Sequence, residues 1–173
     1  MSVVIDATAG GASANSFVTL AEAQAYMDAR LNGDTWTAAS TDTQNRALVE
    51  ATRDISNKDF GGRRVTVTQS LSWPRWGALD PDQPYGWLFD STIVPTRVKN
   101  ATCELAFQFV NYGTTDLATY DPNAGVIEKT VDVLTTRWQP FARPQGLTRF
   151  PRVLDYIRPL LVSSGATIRS VRG

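Results

Sequence analysis

Trp73, Trp76, Tyr85, Trp87 and Phe89 interleave with Arg75 in one stretch of the chain. Aromatic faces set among cations can stack the bases of a single nucleic-acid strand while neutralising its backbone. The same rings can equally cover a small helical core or fill a subunit interface, where Trp and Tyr are enriched. Local charge favours the second use. Residues 77–96 hold no Lys or Arg but do hold Asp80, Asp82 and Asp90, and that sign of charge repels a phosphate backbone.

A second set of candidate contact residues lies further on. Residues 137–173 contain Arg137, Arg143, Arg149, Arg152, Arg158, Arg169 and Arg172 against Asp155 alone, a net of +6. Residues 1–136 contain ten basic and sixteen acidic groups, a net of −6. The tail uses arginine only, the better residue for bidentate contacts with carboxylate or phosphate. It either lies on its own acidic body or reaches another subunit, a second protein or nucleic acid. With Trp138, these arginines join Trp73, Arg75, Trp76 and Trp87 as the expected partner-binding residues.

Catalysis finds little material. The 173-residue chain has no histidine, which removes Ser-His-Asp and Cys-His catalysis and imidazole metal ligation. Cys103 stands alone, without a disulfide partner or an activating base, and reads as a small buried hydrophobe. Asp80 with Asp82, and Asp116 with Asp121, lack the spacing of a calcium loop. Glu50 and Asp54 lie one turn apart on the polar side of a helix. Gly61-Gly62-Arg63-Arg64 has no Walker or dinucleotide spacing and reads as a turn with exposed arginines. The expectation is a protein that is not an enzyme, with no catalytic, metal or cofactor-binding residues. No apolar run approaches a membrane span, and residues 1–6 lack a signal-peptide pattern, so no membrane partner is expected.

These groups must be positioned by a mainly α fold: a small bundle of three to four helices, a short β element, a long aromatic loop at 71–90 and an extended C-terminal arm. Residues 1–16, with Gly10-Gly11, read as a flexible arm. Thr19 and Glu22 form a capping box ahead of Leu20, Ala23, Tyr26, Met27 and Leu31, and Asn32-Gly33 ends that helix. A second helix runs from about Thr43 to Lys58 behind Ser40, Thr41 or Asp42, with Ala47, Leu48, Ala51, Thr52 and Ile55 inward. The alternation in Val65-Thr66-Val67-Thr68 predicts a short strand or extended segment. A third helix follows Pro95, with Val98, Ala101, Thr102, Leu105, Ala106 and Phe109 on one face. One or two strands are expected within 125–138, and Pro151 opens a short last helix with Val153, Ile157, Leu160 and Leu161, which Pro159 must kink or shorten. The body is then 17–136 and the docking arm 137–173.

Four motifs in this order resemble a known family. Asn15-Ser16-Phe17-Val18-Thr19-Leu20-Ala21-Glu22-Ala23 with Tyr26 resembles the N-terminal signature of the head-to-tail adaptor (connector) proteins of tailed bacteriophages. Ala51-Thr52-Arg53-Asp54-Ile55, Leu71-Ser72-Trp73-Pro74-Arg75, and Val98-Lys99-Asn100-Ala101 with Glu104-Leu105-Ala106 are similar to that family too. Some of its members carry a DnaT-like single-stranded-DNA-binding label. The resemblance implies a structural virion protein: a dodecameric ring in the neck, formed in the host cytoplasm. The ring would join the portal protein to a tail-side neck, stopper or tail terminator protein and extend the channel for packaged double-stranded DNA. On that reading the loop from Trp73 to Phe89 and the 125–138 region make contacts between subunits or with the tail-side partner, and the arginine tail docks on the portal or an adjacent subunit. The alternative is a single-stranded nucleic-acid-binding protein using the Trp-rich segment and the Arg-rich tail.

Overall fold

The computed structural model describes residues 3–113, 128–131, 134–137 and 146–162. The fold is mainly α, with helices α1 (Leu20–Asp28), α2 (Asp34–Ala38) and α3 (Thr41–Ser56), then the paired strands β1 (Arg63–Arg64) and β2 (Arg75–Trp76). Helix α4 (Thr96–Tyr112) follows, then an antiparallel hairpin of β3 (Glu128–Val131) and β4 (Leu134–Arg137), and finally α5 (Pro151–Ile157). Short 3-10 turns lie at Pro84–Gly86, Gly146–Arg149 and Arg158–Leu160.

Helix α4 is the spine. Its Val98, Ala101, Leu105 and Ala106 are fully buried, and it packs most extensively on α3 and then on α5. Fully burying each large aliphatic side chain stabilises the fold by about 1.5–3 kcal/mol. The apolar stripe of α3 is buried as its spacing predicts, behind Ser40, whose hydroxyl accepts from the Thr43 N–H. The capping box forms as well: Thr19 Oγ1 accepts from the Glu22 N–H, and Glu22 accepts from the Thr19 N–H. Gly113 ends α4 in the left-handed conformation at φ 66°.

Several expectations shift. Leu31 lies beyond the end of α1 and is 87% exposed. The five-residue α2, which buries Trp36 completely, is too short to carry a periodic signal. Residues 65–68 form no strand; the pairing sits at 63–64 and 75–76, and Val67 is fully exposed. Residues 3–16 do not hang free. Asn15 clasps the segment by accepting from the Asp6 N–H and donating to the Val4 carbonyl. The Val3 N–H donates to Asp42, and Asn45 donates to the Val3 carbonyl.

The C-terminal region departs most from an extended arm. Leu147, Phe150, Val153, Ile157 and Leu160 are buried in the main core, so 146–162 belongs to the body. The chain then docks beside the end of α3, where the Gly61 N–H donates to the Leu160 carbonyl and the Val162 N–H to the Asp59 carbonyl. The apolar spacing of Val153, Ile157 and Leu160 is that of a core helix, whatever the charge of the residues between them.

One buried acid ties α1, α4 and α5 together. Glu104, 2% exposed, receives a bidentate pair from Arg30 (Nε and Nη2, both 3.1 Å), a bond from the Tyr26 hydroxyl at 2.9 Å and one from Arg152 at 3.3 Å. The Tyr26 proton is committed to Glu104, so Tyr156 donates across the 3.3 Å hydroxyl contact between them. Arg30 also lies 3.9 Å from the centre of the Phe107 ring. Burial alone would raise the Glu104 pKa, but the bonds from Arg30 and Tyr26 outweigh it and hold the carboxyl below its ordinary value of 4.5. A depressed folded-state pKa contributes stability that is complete above 4.5 and is lost as pH falls through the folded value. Glu104→Gln leaves Arg30 uncompensated and is expected to cost about 3 kcal/mol at neutral pH. Urea unfolding across pH 3–7 checks this: the wild type should lose stability on the acid side and the variant should show a flatter profile.

Candidate nucleic-acid interface

The exposed aromatic and cationic groups are placed by the ribbon that follows α3. Gly62 has φ +72°, and a Cβ there would meet the Trp76 carbonyl oxygen at 2.5 Å and the Ala78 nitrogen at 2.7 Å, so the strands close only around glycine. Arg75 fastens the ribbon from inside. Its guanidinium donates to the carbonyls of Gly61 (2.6 Å), Gly62 (2.7 Å), Phe60 (3.0 Å) and Ser72 (3.1 Å). Register pairs Arg63 with Trp76 and Arg64 with Arg75. The Arg63 guanidinium sits 4.6 Å from the centre of the Trp76 ring, which is itself 55% exposed.

The backbone pairing resumes beyond Ala78. Leu79 and Leu88 form an antiparallel bridge, the Asp80 N–H donates to the Trp87 carbonyl at 2.8 Å, and the Phe89 N–H donates to the Ala78 carbonyl at 3.0 Å. Leu79, Trp87 and Leu88 are all more than half exposed. The acids here are occupied. Asp82 forms a bidentate pair with Arg97, which holds its carboxyl below the ordinary range. Asp90 receives the Thr92 hydroxyl and N–H, with the same effect on its pKa. Asp80 accepts from the Asp82 N–H.

The cations divide differently. Of the nine Lys and Arg residues in 3–113, Arg30, Arg46, Arg53, Arg97 and Lys99 are ion-paired to Glu104, Asp42, Glu50, Asp82 and Glu22. Lys58, Arg63, Arg64 and Arg75 have no carboxylate within ion-pair distance among the described residues. All four lie on the ribbon or at its root.

Of the expected contact residues, Trp76 and Trp87 are at the surface. Trp73 is not: it is 1% exposed and meets Phe60 and Phe89 edge-on at ring distances of 5.6 and 5.7 Å. Arg75 is a half-buried clamp. Arg149 is half-buried in a 3-10 turn, Arg152 reaches Glu104, and Arg158 is exposed. Arg137 ends β4. Trp138, Arg143, Arg169 and Arg172 lie outside the described residues. Arg63 and Arg64 were legible as exposed arginines after a Gly-Gly turn, but their pairing with Trp76 and Arg75 crosses a loop that carries no periodic signal.

Elsewhere, burial pushes the Cys103 thiol up to about 12, so it stays protonated at neutral pH. No cluster of three or more metal-ligating side chains occurs among the described residues, and no helix among them is long and apolar enough to cross a membrane. A family model described as "putative DnaT-like ssDNA binding protein" matches residues 1–173; that description names single-stranded DNA and no head-to-tail adaptor. No curated protein and no solved structure matches the chain.

The two tryptophans flanking Arg75 should separate cleanly in denaturation. Trp73→Ala empties a core site and is expected to cost about 3–5 kcal/mol. Trp76→Ala should stay within about 1 kcal/mol of wild type, the scale of an exposed cation–π pair. Guanidinium titrations of both variants check this, and equal losses would remove Trp76 from the free surface.

Proposed function

We propose, because the chain belongs to the DnaT-like single-stranded-DNA-binding protein family, that it binds single-stranded nucleic acid along the β1–β2 ribbon. The observation that carries the reading is the coincidence of an exposed Trp76, stacked by Arg63, with the four cations of residues 3–113 that lack a carboxylate partner among the described residues. Trp76 supplies a π-face on which any base can stack, and Arg63 and Arg64 supply charge for the backbone. Nothing in this pairing reads base edges, so the expected preference is for single strands over duplex and not for sequence.

One observation favours a second reading. Leu79, Trp87 and Leu88 present apolar surface further along the same ribbon, and such surface is ordinarily covered by protein. On that reading the chain is a structural part that assembles through the 79–88 segment. The sequence resemblance to phage head-to-tail adaptors then gives its form: a ring in the virion neck between portal and tail-side protein, with the DNA channel running through it.

Fluorescence anisotropy with a labelled oligothymidylate separates the two. The first reading expects binding that weakens with salt, with a slope of about −0.7 per phosphate neutralised. Trp76→Ala should cost about 1–3 kcal/mol of affinity, roughly ten- to a hundredfold, and Trp87→Ala much less. Absence of binding at about 50 mM salt, together with sedimentation showing an oligomer that Leu88→Asp dissolves, would establish the second reading in its place.

A further inference from the structure

Behind the ribbon lies a cavity of about 490 Å³, lined by Lys58, Asp59, Arg64, Ser72 and Arg75 together with Phe60 and residues at the end of α3. It is a separate place from the Trp76 stack. Arg63 and Arg64 are consecutive strand residues and project to opposite faces: Arg63 goes to the Trp76 ring, and Arg64 to this cavity.

Three cations line the space and one acid faces them. Arg75 gives its hydrogen bonds to backbone carbonyls, and among the described residues no carboxylate neutralises its charge. Arg64 has one long contact, 3.5 Å, to the Gln69 carbonyl. Lys58 feels Asp54 only at a distance. Asp59 is exposed. The walls therefore carry a net positive charge.

A second observation points to a ligand. Ser72 is 3% exposed, and its hydroxyl has no hydrogen-bond partner among the described residues, although its N–H donates to Ser56. Native folds leave few buried hydroxyls unsatisfied. An unpartnered O–H beside Arg64, Lys58 and the Arg75 charge is a donor set for oxygen acceptors, and the charge selects an anion with several oxygens. We propose that this cavity seats one phosphate group. Resting on the single-stranded-DNA reading above, the group is a backbone phosphate of the strand stacked on Trp76, which passes round the short two-residue ribbon to reach its opposite face.

Calorimetric titration of the full chain with inorganic phosphate, at fixed low ionic strength in chloride, tests the seat by itself. Saturable binding is expected. Lys58→Gln and Arg64→Gln should each weaken it at least about tenfold by loss of a charge-assisted bond. Ser72→Ala, which removes only the unpartnered hydroxyl, should weaken it less and leave the melting temperature unchanged. Asp59→Asn should strengthen it. The oligothymidylate titration then identifies the source. If the phosphate belongs to the strand, Arg64→Gln flattens the salt slope by about 0.7, while Trp76→Ala lowers affinity and keeps the slope.

Phosphate binding without oligonucleotide binding would keep the seat for a free phosphate or phosphomonoester and end the single-strand reading. No saturable phosphate binding by the wild type, or variants that bind as it does, would overturn the seat. The single-strand reading would then survive if Trp76→Ala alone weakened the oligonucleotide.

Discussion

A single guanidinium holds the exposed ribbon in place. Two-residue strands cannot sustain themselves; even a full hairpin is marginal in water. Arg75 substitutes for the missing ladder by donating to four carbonyls drawn from both sides of the ribbon. Only arginine carries enough rigidly spread donors for that, whereas lysine would bring a compact charge with three. Desolvation, with help from nearby Arg64, lowers the Arg75 pKa, but a guanidinium starts so high that it remains charged. The clamp therefore leaves an uncompensated positive charge in the wall behind Trp76, and Gly62 lets the second strand come close enough for the clamp to reach.

The helical body works by a different rule. Around Glu104, charge is buried and satisfied: Arg30, Tyr26 and Arg152 all donate to the carboxylate. That network fixes where α1 and α5 meet α4, and the last turn after α5 in turn closes on Phe60 and Gly61 at the root of the ribbon. Core and ribbon are thus continuous. Trp73 extends the continuity, since its ring is packed between Phe60 on one side and Phe89 on the other.

How much of this was legible depends on whether the determining contact is local. The Thr19–Glu22 box, the Ser40 cap and the α3 and α4 stripes are local, and each forms where the spacing places it. The Val65–Thr68 alternation was misleading because a short exposed turn has no buried face to select a period. Trp73 and Trp76 are chemically alike in the sequence; three residues separate a core ring from a surface one, and only the path around Pro74 and Arg75 decides which is which. The fastening of residues 3–16 rests on Asn15 and Asn45, polar groups whose partners lie elsewhere in the chain. The apolar spacing of Val153, Ile157 and Leu160 marks the last helix correctly, but the arginines around it point to an arm where the fold has a core element.

Folding redistributes the charge that the sequence sets out segment by segment. Asp80, Asp82 and Asp90 make the aromatic loop look hostile to a phosphate backbone, but two of them are committed to turn hydrogen bonds and one to Arg97. Arg63 and Arg64, more than ten positions earlier, arrive opposite Trp76 and Arg75 through strand pairing. Segment totals of −6 and +6 count every group equally, whereas a ligand meets only those not already neutralised. Pairing within the body consumes five of the nine cations in residues 3–113 and leaves the other four around one ribbon. That selection, made by the fold, leaves the ribbon at 60–76, which holds three arginines and no acid of its own, as the place best able to meet an anion.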